Sequence, residues 1–276
     1  YRGTPFWAWN GKLDDNELKR QIEVFQKMGL GGFHMHVRTG LDSPYLSDDF
    51  MEHINCCIEE ARKKDMLAWL YDEDRWPSGT AGGKVTKNQP QNARKTLLFT
   101  TEPYAPERPN RNLRPEPGRG QENIRQDNGE LLAVYDIVLT TDGSLSSAKR
   151  INENDEACGV KWYAYMETAT EDPWFNNCAY VDTLNPQAIR DFIGYTHEEY
   201  YKACGKDFGG LVPAIFTDEP QFTPKEPLAF SNEQKDVFLP WTAGFEVLYQ
   251  QKYGEDLLDV LPELLWELPE GKLSAV

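Results

Sequence analysis

The stretch "GGFHMHVRTG", residues 31–40, sets two histidines and an arginine at alternate positions of an apolar run. On an extended chain, residues i and i+2 point to the same side. His34, His36 and Arg38 therefore share one face of a strand, and Phe33, Met35 and Val37 share the other. Such a polar face can hold a metal, hold a substrate or meet water. Three further polar groups close apolar runs. Trp9 and Asn10 end "PFWAWN"; Asp72, Glu73, Asp74, Arg75 and Trp76 follow "MLAWLY"; Asp218 and Glu219 follow "GLVPAIFT". Buried parallel strands are apolar on both faces. Any one of these residues is more commonly a solvated loop residue, but four polar strand ends at the same end point to a site.

Each group suggests a chemistry. Glu219, at a strand end and beside Asp218, is expected to be partly desolvated, with its pKa raised by burial and by a like charge. That suits a general acid at neutral pH; the bland reading is a helix-capping or salt-bridged acid. The three acids Asp72, Glu73 and Asp74 can bind substrate hydroxyls, take part in acid/base work or coordinate Ca²⁺, and Arg75 and Asp218 can hydrogen-bond substrate. Trp9 and Trp76 can present flat apolar platforms to a pyranose ring, although core packing is the usual fate of a tryptophan. Metal-dependent amidohydrolase barrels use a His-x-His pair on a first strand and add histidines later. This chain has four histidines in all, and His53 and His197 fall on predicted helices. His34, His36 and Arg38 are therefore read as groups that donate hydrogen bonds to substrate hydroxyls or orient a carboxylate. A transition metal on the pair is not expected. An amidohydrolase-like enzyme using His34 and His36 remains the alternative.

The elements that must position these groups follow from periodicity. "PFWAWN" reads as a strand. In "KLDDNELKRQIEVFQKMGLGG", Leu18, Ile22, Phe25 and Met28 recur at helical spacing, Asp14 or Asp15 can cap, and Gly29 stops the helix. A second helix runs from about Asp49 to Lys64, with Asp49 and Glu52 resembling a capping box and Phe50, Ile54, Cys57, Ile58 and Ala61 as its buried stripe. "MLAWLY" is a third strand. Helical connections of this length join parallel strands.

The pattern then changes. "ELLAVYDIVLTTDGSLSSAKRI" reads as two strands about a turn at Asp142 and Gly143, and "VKWYAYMETAT" as another strand. "APERPNRNLRPEPGRGQEN" reads as a mobile surface loop. Alternation resumes with a helix over "NPQAIRDFIGYTHEEYYKACG", capped by Asn185 with Pro186 in its first turn, then a strand at "GLVPAIFTDEP" and a helix over "PWTAGFEVLYQQKYG". The expected fold is α/β, of the (β/α)₈ TIM-barrel type, with only the first four βα units present. Residues 1–90 would carry three barrel strands and two helices, 91–182 a β-rich insertion after strand 3, and 183–276 the barrel continuation. The C-terminal remainder of the barrel is expected to be missing from this chain. An open flavodoxin-like sheet is the structural alternative, but no Gly-rich phosphate loop follows the first strand.

Bulk properties narrow the partners. The 276 residues are 39% hydrophobic and 12% aromatic, enough for a sizeable core. The formal net charge of −16 disfavours nucleic acid and anionic membrane as partners. No run approaches the ~18 apolar residues of a membrane span. The five cysteines have no C-x-x-C spacing, so they read as reduced thiols in a cytoplasm, with an extracellular or periplasmic location the open alternative.

Together, "PFWAWNGKL", "MGLGGFHMHVRTGL", "LAWLYDEDRWPSGTAGG" and "IFTDEP" resemble bacterial carbohydrate enzymes related to glycoside hydrolase family 106, which are α-L-rhamnosidase-type. The similarity covers residues 3–87 and 180–222, and Trp-Pro-Ser-Gly after the third strand is its most specific part. The resemblance implies a (β/α)₈ catalytic barrel and inverting hydrolysis by two carboxyl groups, assisted by bound Ca²⁺. It points to Glu219 as general acid and to a base on a later strand. The expected partner is a carbohydrate held by Trp9, Asn10, His34, His36, Arg38, Asp72, Asp74, Arg75, Trp76 and Asp218. A non-catalytic carbohydrate-binding fragment is the reading from another class.

Overall fold

The computed structural model describes residues 2–104 and 123–274. The expected surface loop at 105–122 lies outside the described residues. In chain order the elements are strand β1 (Phe6–Trp9), helix α1 (Asp15–Lys27), β2 (Gly32–Val37), α2 (Asp48–Lys64), β3 (Leu67–Tyr71), β4 (Lys95–Thr100), β5 (Glu130–Leu139), β6 (Leu145–Ile151), β7 (Val160–Thr168), α3 (Pro186–Tyr195), α4 (His197–Cys204), β8 (Ile215–Phe216), β9 (Val237–Trp241), α5 (Phe245–Tyr253) and α6 (Leu257–Val260). The fold is mixed α/β, and the chain divides into two units.

The first unit comprises residues 1–92 and 171–221. Its sheet has four parallel strands in the order β1-β2-β3-β8, so sequence order is spatial order. The sheet is open among the described residues. The predicted stripes bury as expected: Leu18 and Ile22 on α1, and Phe50, Ile54, Cys57, Ile58 and Ala61 on α2. They pack on Trp7, Trp9, Phe33, Met35, Val37, Ala68 and Leu70, which makes this the helix-facing side of the sheet. Asp14 caps α1 by accepting from the N–H groups of Asn16 and Glu17, and Gly29 ends that segment at φ +82°. Helix α2 departs from the expected capping box: Ser47 is its cap, accepting from Phe50 N at 3.2 Å.

The helix predicted over residues 185–204 is broken at Thr196 into α3 and α4. The Thr196 hydroxyl donates to Phe192 O at 2.7 Å, a side-chain bond that competes with the helical ladder. Asn185 and Pro186 open α3 as predicted.

The second unit comprises residues 93–170 and 222–276. Its sheet is antiparallel, in the order β6-β5-β7-β4-β9. The hairpin of β5 and β6 forms about Asp142 and Gly143, with Gly143 at φ +88°. Residues 222–274, expected to continue the barrel, lie with this sheet instead. Pro240 and Trp241, expected to open a helix, instead end strand β9, paired with β4 from Lys95↔Trp241 to Phe99↔Val237, and the helix starts at Phe245. Leu257, Leu261 and Trp266 then bury against Phe99, Tyr135 and Trp162. No described helix is long and apolar enough to cross a membrane.

Candidate functional site

Strand alternation decides which residues meet. Phe6 pairs with His34, Ala8 with His36 and His34 with Trp69, while Tyr71 pairs with Phe216. These residues form the face of the sheet opposite the helices. It is an aromatic and imidazole surface. His34 stacks on Trp69 at 4.8 Å between centroids, and His36 stacks on Tyr71 at 3.9 Å. Phe6 lies about 5 Å from both imidazoles and from Phe216 and stays 57% exposed. The ring of His36 is 1% exposed, and neither of its nitrogens has a hydrogen-bond partner. Burial pushes its pKa down to about 4, helped by the charges of Arg38 and His34, so the ring is neutral at pH 7.

At the C-terminal strand ends, His36 Nε2 stands 4.0 Å from Asp218 Oδ2. Burial pushes the Asp218 carboxyl up and the Glu219 charge adds to this, while Arg38 and the Tyr71 hydroxyl pull it back. Glu219 itself is exposed rather than desolvated, contrary to expectation; the raised carboxyl is its neighbour. Glu219 has φ +45°, a left-handed conformation rare for a residue with a side chain. Its Oε2 accepts from Trp76 Nε1 at 3.0 Å. Trp76 is half-buried and meets Trp174 edge-on at 5.9 Å.

The loop that carries Trp76 is built on a carboxylate. Glu73 is fully buried, and its Oε2 accepts from the N–H groups of Gly79, Thr80 and Ala81 and from the Thr80 hydroxyl. Its Oε1 accepts from Asp74 N and Gly82 N. Burial pushes the Glu73 carboxyl up to about 7 against the pull of these donors. The motif "WPSGTAGG" becomes intelligible here. A side chain at Gly79, φ +142°, would meet Val181 Cγ1 at 2.6 Å, so only glycine lets this loop close. Ser78 staples the ends of β3 and β8. Its Oγ donates to Asp72 Oδ1 at 2.6 Å and accepts from Asp218 N at 2.9 Å, and Ser78 N donates to Asp218 O at 2.8 Å.

Several expected substrate contacts are corrected by this geometry. Asp72 is fully buried, and both its oxygens are taken, by Ser78 and by the Thr217 hydroxyl at 2.6 Å, with His197 Nε2 at 3.7 Å. It braces the strand ends and offers no face to a sugar. Trp9 is 2% exposed and packs edge-on against Trp7 and Phe50 on the helix side, so it is no platform. His34 lies two residues deeper than His36, with the carbonyls of Pro5 and Thr4 acting on its ring. Asp74 accepts from Asn176 Nδ2 at 2.6 Å and lies near Arg75 at 3.4 Å. Asn10 and Arg38 are exposed at their strand ends. The strand ends thus bring together His36, Arg38, Tyr71, Trp76, Asp218 and Glu219. Phe6, Tyr71 and Phe216 were not expected. Phe6 was readable, because it alternates with Trp7 and Trp9 on β1.

The strand-three acids do not fit a Ca²⁺ ion, since the oxygens of Asp72 and Glu73 are spent on protein donors. Among the described residues no group of three or more His, Cys, Asp or Glu side chains is arranged to hold a metal.

No protein-family model matches the chain, and no curated protein matches it. Among solved structures, a rhamnosidase from Novosphingobium sp. PP1Y is similar with a TM-score of 0.48 and 12% sequence identity. The similarity covers 97% of this chain and 42% of that one, so the chain spans less than half the length of that enzyme.

Proposed function

We propose that this chain carries the acid side of a glycoside hydrolase site, with Glu219 as the general acid. The observation that carries the reading is the placement of Glu219. It is an accessible carboxyl at a strand end, in a strained conformation, oriented by the Trp76 indole N–H at 3.0 Å. Strain persists where surrounding structure holds it, and it clusters at functional sites. Asp218, Arg38 and the exposed ring of Phe6 supply the polar and apolar contacts a pyranose needs. The resemblance of "IFTDEP" and "DEDRWPSGTAGG" to family 106-related enzymes agrees with this assignment. In this reading the parallel sheet is the first half of a (β/α)₈ barrel. The remaining strands, and the base, belong to a C-terminal remainder of the barrel beyond this chain.

Mechanistically, Glu219 protonates the leaving glycosidic oxygen while water attacks from the opposite face of the ring. An inverting pair stands ~6.5–9.5 Å apart to admit that water. Asp218 directly adjoins Glu219 in the chain and is read as a binding carboxylate.

The test is Glu219→Gln in the enzyme containing this chain, assayed on a nitrophenyl glycoside and on a disaccharide. General acid catalysis is worth roughly 10²–10⁴-fold. The disaccharide should lose about that much in kcat/KM. The nitrophenyl substrate, whose leaving group needs little proton, should lose far less. Equal mild losses on both would make Glu219 structural.

A further inference from the structure

His36 has a burial out of keeping with its chemistry. It is 1% exposed, its two ring nitrogens are unpartnered, and solvent does not reach them. A sugar hydroxyl cannot reach those nitrogens either while the sheet face stays as it is. Buried polar groups without partners are rare, and each needs a physical account. One face of the ring is fixed by the Tyr71 ring at 3.9 Å and 20° between planes, and Phe6 lies 4.9 Å away. The imidazole is therefore held rigidly by aromatic packing, not by hydrogen bonds. Nε2 stands 4.0 Å from Asp218 Oδ2. That is about 1 Å beyond a hydrogen bond. Asp218 is a short side chain beyond the end of β8 and retains 16% side-chain exposure, which leaves its carboxylate room to turn.

We infer that His36 is a positioning residue: from its sealed site against Tyr71 its Nε2 is turned on Asp218 and sets the carboxylate that meets substrate hydroxyls, without itself touching the sugar. This rests on the reading of Asp218 as a sugar-binding group. Of the two roles open to the strand-two histidines, it assigns His36 the orienting of a carboxylate and names Asp218 as that carboxylate. The groups facing the pair are His34 from β2, Arg38 just beyond it, Tyr71 from β3, Glu219 beyond β8 and the uncharged ring of Phe6 from β1. Arg38 and the Tyr71 hydroxyl favour the charged form of Asp218, and Glu219 opposes it. An N–H of His36 joins the first set when the gap closes.

The experiment is NMR titration of the Asp218 carboxyl carbon and the His36 ring nitrogens. In the unsubstituted chain the proton should sit on Nε2, and the Nε2 shift should move through the Asp218 titration. His36→Phe keeps the stacking and removes the donor; Asp218 should then titrate about one pH unit higher, a tenfold weaker hold on its charge. His36→Gln returns an amide N–H near the Nε2 position and should restore the original titration. A proton on Nδ1, or an Asp218 titration that His36→Phe leaves unmoved in a folded chain, overturns the assignment. If His36→Phe fails to fold, the Nε2 shift of the unsubstituted chain still decides. None of these readings needs turnover. An enzyme containing this chain that hydrolyses no glycoside would sink the glycosidase proposal and leave the positioning result standing.

Discussion

Two acidic pairs end neighbouring strands of the parallel sheet, and they have opposite fates. Asp72 and Glu73 follow β3, are fully buried and spend their oxygens on protein donors. Asp218 and Glu219 follow β8, remain open and are thinly partnered: one faces an imidazole across 4.0 Å, and the other accepts from one indole N–H. The difference is made by the loop between them and not by the acids. "WPSGTAGG" can fold its backbone N–H groups inward because glycine and Ala81 take positive φ there. In "TDEPQ" the one positive φ is at Glu219 itself, and no run of backbone N–H groups folds onto its acids, so they stay available. A saturated carboxylate holds structure; an unsaturated one can still bind or donate.

This contrast can be broken by substitution. The largest effect is expected at Glu73→Gln. The amide turns an N–H₂ group toward backbone donors and leaves at least two of them unpaired inside. An unsatisfied buried group costs about 1–3 kcal/mol, so unfolding in urea should show a loss of about 3–5 kcal/mol. A loss below about 1 kcal/mol would erase the distinction between the pairs.

The next effect is in pH. The Glu73 carboxyl is raised from 4.5 to about 7 in the folded chain. The folded state then holds the proton more tightly than the unfolded state between those values. Stability from this group is complete below about pH 4.5 and declines as pH rises to about 7, by at most ~1.4 kcal/mol per pH unit. Urea midpoints from pH 5 to 7 should fall in the natural sequence and fall less in Glu73→Gln. A rise over that window in the natural sequence would show that the six donors outweigh burial.

Asp72→Asn should cost less, about 1–2 kcal/mol, because the Ser78 and Thr217 hydroxyls can turn to suit an amide. Thermal melting measures it. The smallest change in stability is expected at Glu219→Gln, within about 0.5 kcal/mol, as for an exposed group. A large loss there, in the same melting experiment, would move Glu219 into the structural class.

Much of the first unit was legible in the sequence. Helices α1 and α2 showed their buried stripes at helical spacing, and β1, β2 and β3 alternate cleanly between faces. What escaped has physical reasons. Ser47 outcompetes Asp49 as a cap because it lies one residue ahead of the first helical turn, where its oxygen reaches Phe50 N. Strand β9 is five residues long and contains Pro240, so "VFLPW" carries little strand signal; its partner β4 is far away in the chain. The sealing of Asp72 and Glu73 depends on donors six to nine residues onward and on Thr217, and no local pattern announces that. Trp9 was misread because its strand-end position suggested the site, while parity with Trp7 placed it on the helix side. In contrast, the grouping of His36 with Asp218 follows from parallel strands presenting one end together.

The interruption between β3 and β8 also bears on the order of events during synthesis. Roughly 140 residues separate the two strands. At about 5–20 residues per second, the β3 edge emerges some 7–30 seconds before its partner. The intervening antiparallel strands emerge during that wait, yet β4 in turn awaits β9, which emerges after β8. Each unit therefore depends on a segment made after the other has begun. An exposed β3 edge during that interval is the point at which a nascent chain would be most open to a chaperone or to mispairing.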